Sequence, residues 1–137
     1  RFKTIFFSGC ITTNLKNYLI SNEVSRVYVN EFPDHDGDKA TGKDTLIVVF
    51  GPEKARIGYV LLVAGAFISI VVMALNGTFP MLTLIALVAS YFGVRAIQVL
   101  YKYYDDRLLQ PANAGTINMH FVTGTLFCIG IWVGNSI

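Results

Sequence analysis

NEFPDHDGDKATGKDT, residues 30–45, is the densest run of charge in an otherwise apolar chain. It holds Glu31, Asp34, Asp36, Asp38, Lys39, Lys43 and Asp44, and it stands just before the first of three long apolar segments. Asn30, Asp34 and Asp38 recur every four residues, so on a helix they share one face. Two carboxylates one turn apart repel each other unless a cation lies between them. Oxygen-only ligands suit a hard ion such as Mg²⁺, which keeps several waters and bridges to phosphates. Lys39 and Lys43 repeat the four-residue step toward the same phosphates. One reading of the stretch is therefore a Mg²⁺–diphosphate site at a membrane face. The competing reading is a solvated charged loop between helices, the usual fate of a charge run. An EF-hand loop is excluded. Counted from Asp34 it needs Gly at its sixth position and Glu at its twelfth, where this chain has Lys39 and Thr45.

The surrounding composition sets the class. Of 137 residues, 53% are hydrophobic and 15% charged, against about 25% charged in a soluble domain. The mean hydropathy of +0.52 agrees, and the chain reads as an all-α membrane protein or part of one. A net charge of +2, with no basic stripe interleaved with aromatics, excludes a nucleic-acid partner. Cys10 and Cys128 match no metal or redox spacing and read as inert buried thiols. Arg1 and Lys3 precede only the short run IFFSGCI, without a signal-peptide cleavage site. Arg1 reads as a cut edge.

Residues 1–29 read as an irregular or interfacial segment. Lys16, Glu23 and Arg26 each cost about 2.5–3.5 kcal/mol near a bilayer centre, which excludes a span there. Tyr18, Leu19, Val24, Val27 and Tyr28 outline a short amphipathic helix at the interface. Pro33 and Gly37 are expected to interrupt any helix through the aspartates, and Gly42 to end it. TLIVVF, residues 45–50, is strand-like in isolation. Before an apolar helix it reads as a short piece at the membrane surface. Pro52 suits the first turn of the helix that follows.

The spans are predicted at about 57–76, 81–100 and 116–134, each able to cross about 30 Å of hydrocarbon. Gly58, Ala64, Gly65, Ala66 and Ser69 permit close helix approach. Arg95 falls in the last third of the second span, where it can snorkel or meet a polar cavity. YKYYDDRLLQPANAG, residues 101–115, is a second polar loop with interfacial tyrosines. His120, early in the third span, is either functional or an interfacial polar residue. Lys39, Lys43, Lys54 and Arg56 precede the first span and Arg95, Lys102 and Arg107 close the second, while the turn at Asn76 is uncharged. The positive-inside tendency puts both charged loops in the cytoplasm, on one face of the inner membrane. No internal repeat is present, and three spans without one argue against a transporter.

Two of these stretches carry a resemblance. NEFPDHDGDKATGKDTLIVVFG resembles the second aspartate motif and following loop of the UbiA superfamily of intramembrane aromatic prenyltransferases. YDDRLLQPANAGTINMHFVTGTLFCIGIW resembles their last loop and last helix. The Asn-Glu-Phe-Pro-Asp and Pro-Ala-Asn-Ala wording is most similar to the 1,4-dihydroxy-2-naphthoate polyprenyltransferases of menaquinone synthesis. The resemblance covers about residues 28–137. It implies the C-terminal part of a helical bundle, with a polar cytoplasmic segment and three transmembrane helices. It further implies Asp34 and Asp38 as Mg²⁺ ligands, Asn30 supporting them, and Lys39 and Lys43 on an isoprenyl diphosphate. Arg95, Lys102 and Arg107 are lesser candidates for the same anion, and Asp36 is a solvated residue off the face. The chemistry implied is prenyl transfer to an aromatic acid. Asp44 and Val49 stand where the family usually has basic residues, and the first aspartate motif is absent. The chain alone is therefore predicted not to be a competent enzyme, its partner being the half with the first motif. The alternatives are an inactive paralogue or a small non-enzymatic membrane protein.

Overall fold

The computed structural model describes residues 24–104 and 109–136. Among these, every regular element is helical. Helix α1 covers 24–40, α2 is Leu46–Phe50, and α3 is Pro52–Leu75. A 3₁₀ segment, Met81–Ala89, runs into α4, Ser90–Tyr103, and α5 is Gln110–Gly134. Three stretches are long and apolar enough to cross a membrane: Pro52–Leu75, Met81–Tyr103 and Gln110–Gly134. The three expected spans are present. Each extends past its apolar run at the charged end, where polar residues remain helical outside the hydrocarbon.

The expected interruption of α1 does not occur. The helix runs unbroken through Pro33 and Gly37. Ser25, Tyr28, Val29 and Phe32 form its buried stripe, while Pro33 and Gly37 sit on the exposed side. Burial of that stripe offsets the one backbone bond that Pro33 cannot donate. Residues 24–29 are helical too, so Val24, Val27 and Tyr28 belong to α1 rather than to a separate interfacial piece. Tyr18, Leu19 and Cys10 lie outside the described residues. Residues 46–50 form a helical turn and not a strand. Thr45 caps it, its hydroxyl accepting from the Val48 amide, and no strand lies beside it among the described residues to complete a ladder.

Two helices end in the same way. Lys43 N–H donates to Asp38 and Gly42 N–H to Lys39, while Thr78 donates to Met73 and Gly77 to Ala74. These are the paired bonds of a Schellman motif, which needs a left-handed residue one past the cap. Gly42 (φ 73°) and Gly77 (φ 68°) supply it.

Arg95, Gln98 and Lys102 give α4 a polar exposed side, whereas α3 has none beyond Arg56. Helix α3 buries Tyr59, Val63, Ala66 and Ile70 while exposing Leu61, Ile68, Val72 and Leu75, as expected when the outer solvent is lipid. Between apolar helices in lipid there is little hydrophobic drive, and close packing at small residues decides the fit. In the 3₁₀ segment the buried residues Thr83, Ala86 and Ala89 recur every three residues, the period of that helix. They present a flat, small-residue edge to α5. A Cβ on Gly130 would lie 2.7 Å from Thr83 Cα and 2.9 Å from the Leu82 carbonyl oxygen. One on Gly93 would lie 2.8 Å from the Met119 sulfur.

Replacing Gly130 by Leu is accordingly expected to lower the stability of the detergent-solubilised protein by about 1–3 kcal/mol through overpacking. Gly124→Ala, which meets nothing within 4 Å, should leave the thermal melt unchanged or slightly raised. Equal losses in the two variants would remove the backbone contact as the cause.

Candidate functional site

Tyr28 hydrogen-bonds helix α1 to α3. The Tyr28 hydroxyl donates to the Ala55 carbonyl oxygen at 3.0 Å. Its ring lies over Gly58, where a Cβ would be 2.6 Å from the hydroxyl oxygen. Phe32, one turn on, meets Tyr28 edge to face at 5.9 Å. With Tyr28 and Phe32 held inward, the successive turns carrying Asp34 and Asp38 project beside the start of α3.

Asp34 and Asp38 line one cavity of about 600 Å³, and so does Asp36 between them. Pro52 of α3, Tyr104 at the end of α4, His35 of α1 and Thr41 just past its end are also in the wall. The first and second polar stretches thus meet at one end of the bundle, as their charge suggested. Asp34 is exposed. Asp38 is 14% exposed, and Lys43 Nζ donates to both its oxygens at 3.2 and 3.1 Å. The Schellman turn makes that pairing possible, since it returns Lys43 toward the last turn of α1. Asp36 is 98% exposed and accepts from Nδ1 of His35 at 3.1 Å, in keeping with a solvated residue.

The other candidates are distributed differently. Asn30 and Lys39 are exposed on α1 and outside the cavity wall. Arg95 is not brought to the cavity: its guanidinium donates to the Tyr91 hydroxyl at 3.2 Å on the exposed face of α4. Lys102 lies 5.0 Å from the Tyr103 ring centre, also outside the wall. The four-residue spacing and the loop charge could not show this, because they carry no information on which way α4 is rotated. Arg107 lies outside the described residues. Val49 is exposed on α2, and His120 is half-buried on α5 away from the cavity.

Sequence reasoning missed His35, Thr41, Tyr104 and Arg56. Arg56 is the most informative. Its guanidinium carbon lies 4.6 Å from the Tyr101 ring centre and 4.8 Å from that of Tyr104, and Nη2 is 3.5 Å from Glu53 Oε1. Three tyrosines in four residues after the second span were the available signal, but nothing in the sequence pairs them with a residue at the start of α3.

Among the described residues no three His, Cys, Asp or Glu side chains converge to hold a metal. The cavity wall offers the carboxylates of Asp34, Asp36 and Asp38 and the imidazole of His35.

An all-helical membrane bundle with an acidic cavity at its charged end is the class that these elements define. The sequence matches the UbiA prenyltransferase family over residues 22–133, and the chain belongs to that family. Its members are membrane-embedded and transfer a prenyl group to an aromatic acceptor. No curated protein and no solved structure matches the chain.

Burial raises the pKa of the Tyr28 phenol above its ordinary value, and the Glu31 carboxylate adds to the rise. A raised folded-state value means that Tyr28 contributes to α1 docking fully below about pH 10, the free tyrosine value. The contribution is lost as pH climbs through the higher folded value. The phenolate absorbance of wild type minus that of Tyr28→Phe should therefore isolate a group ionising above pH 10; a midpoint at or below it would contradict the docked phenol.

Proposed function

We propose that the cavity between α1 and Tyr104 is the diphosphate end of a prenyl-transfer site, and that the chain serves transfer of a polyprenyl group to 1,4-dihydroxy-2-naphthoate. One observation carries this reading: Asp34 and Asp38, one helical turn apart, open onto a single cavity whose far wall comes from the other polar loop. The donor set fits Mg²⁺, which binds through one or two carboxylates and completes its octahedron with water and phosphate oxygens. Asp34 and Asp38 would hold it, and when bound it would neutralise charge on the departing diphosphate. The family's first aspartate motif, expected from a partner segment, would face them.

The chain's own residues then do the following. Lys43 stands on Asp38 and is within one side-chain swing of a diphosphate delivered there, so it exchanges one anion for another as the donor enters. Lys39, exposed a residue beyond Asp38, adds a second positive charge. These cations favour the state in which the allylic C–O bond has broken and the electron pair has left with the diphosphate. The acceptor ring forms the new C–C bond. Its carboxylate leaves as CO₂, and the electron pair of that bond restores aromaticity.

Lys43, Lys54, Arg56 and Lys102 lie toward the charged end, against an uncharged turn at 76–80. The positive-inside tendency therefore supports a cytoplasmic cavity in the inner membrane. One observation favours an inactive relative instead: Lys43 already neutralises Asp38 without any ion.

Asp34→Asn and Asp38→Asn in the full gene product should each lower Mg²⁺-dependent prenyl transfer by about 10²-fold or more, the scale of removing one charge-stabilising group. Chelation of Mg²⁺ should abolish turnover. Transfer that survives both substitutions would refute the reading, and a wild type with no transfer would favour the inactive relative.

A further inference from the structure

We propose that Tyr104, backed by Arg56, is the wall against which the aromatic acceptor stacks, with Arg56 its positioning residue. This rests on the prenyl-transfer reading above and names the acceptor side of that site. Tyr104, from the end of α4, lines the same cavity as the α1 carboxylates. Arg56 packs against the rings of both Tyr101 and Tyr104, its guanidinium carbon under 5 Å from each ring centre. Its side chain is only 22% exposed, with one nitrogen tied to Glu53. A guanidinium committed to two rings and a carboxylate is badly placed to receive a diphosphate. It is well placed to fix a ring.

The charge of Arg56 also changes what that ring prefers. An aromatic face attracts cations through its quadrupole. Tyr104 already satisfies one cation, and a second positive charge at the same ring would be repelled by the first. The ring is thus a poor shelter for an allylic cation. With electron density drawn toward Arg56, it is a better stacking partner for an electron-rich acceptor ring. The arrangement divides the cavity into a carboxylate-lined donor side on α1 and an aromatic acceptor side at the end of α4.

The test measures binding of 1,4-dihydroxy-2-naphthoate to the full gene product by equilibrium dialysis, alongside separate KM values for acceptor and prenyl diphosphate. Tyr104→Leu should raise the acceptor Kd and KM about tenfold, the scale of a stacked ring pair, and leave the prenyl-diphosphate KM unchanged. Tyr104→Phe keeps the ring and should bind as wild type does. Arg56→Gln should raise the acceptor Kd several-fold, with partial recovery in Arg56→Lys; a helix-melting scan of each variant separates this from misfolding. An unchanged acceptor Kd in Tyr104→Leu, or a rise confined to the prenyl-diphosphate KM, would overturn the proposal. So would a Tyr104→Phe as impaired as Tyr104→Leu. The dialysis readout does not require turnover. Loss of transfer in Asp34→Asn with an unmoved acceptor Kd in Tyr104→Leu would sink this inference alone, and the reverse pattern would sink the prenyl-transfer reading alone.

Discussion

Inside hydrocarbon a backbone amide or carbonyl has no water to turn to, and an unmade hydrogen bond costs several kcal/mol. Every span of this chain answers that constraint within itself. The hydroxyls follow the same rule: Ser69 donates to the Ala66 carbonyl, Thr116 to Ala112, and Thr123 to Met119. Thr116 has spent its only proton on Ala112, so the 2.6 Å contact between Thr116 and Tyr59 must be donated by the tyrosine. That bond ties α3 to α5 without leaving a polar atom unsatisfied.

Once the backbone is closed, apolar side chains do little to choose between helix partners, because lipid is as good a solvent for them as a neighbouring helix. Selection falls to shape. Gly93 admits Met119, Gly115 admits Ala96, and Gly130 admits the backbone at Thr83. The 3₁₀ winding of Met81–Ala89 belongs to the same logic, since it sets small residues in a straight row along α5. Phe79 and Phe127, edge to face at 5.1 Å, fill the far end of the bundle.

The site is built at the other end, where water returns and charge becomes affordable. Helix α1 has two faces with separate duties. Tyr28, Val29 and Phe32 hold it against the core, and the turns beyond carry carboxylates to the cavity. Pro33 and Gly37 fall between these duties, on the exposed side, and so do not disturb either. The contact of Arg56 with two tyrosines links the start of α3 to the end of α4, so both walls of the cavity are fixed to the same spans.

The residues alone determined the helical class, the three spans and the shared face of Asp34 and Asp38. Apolar length and four-residue spacing are local properties that survive any packing. Gly42 was legible as a helix end for the same reason. The continuity of α1 through Pro33 and the helical turn at 46–50 were not, because burial and capping there override local preference. Only the tertiary structure decided that Arg95 faces away while Tyr104 joins the cavity with Arg56 packed on its ring. Which side of a helix faces a neighbour depends on rotation about its axis, and in an apolar span that rotation is set by the fit of small residues far from the site.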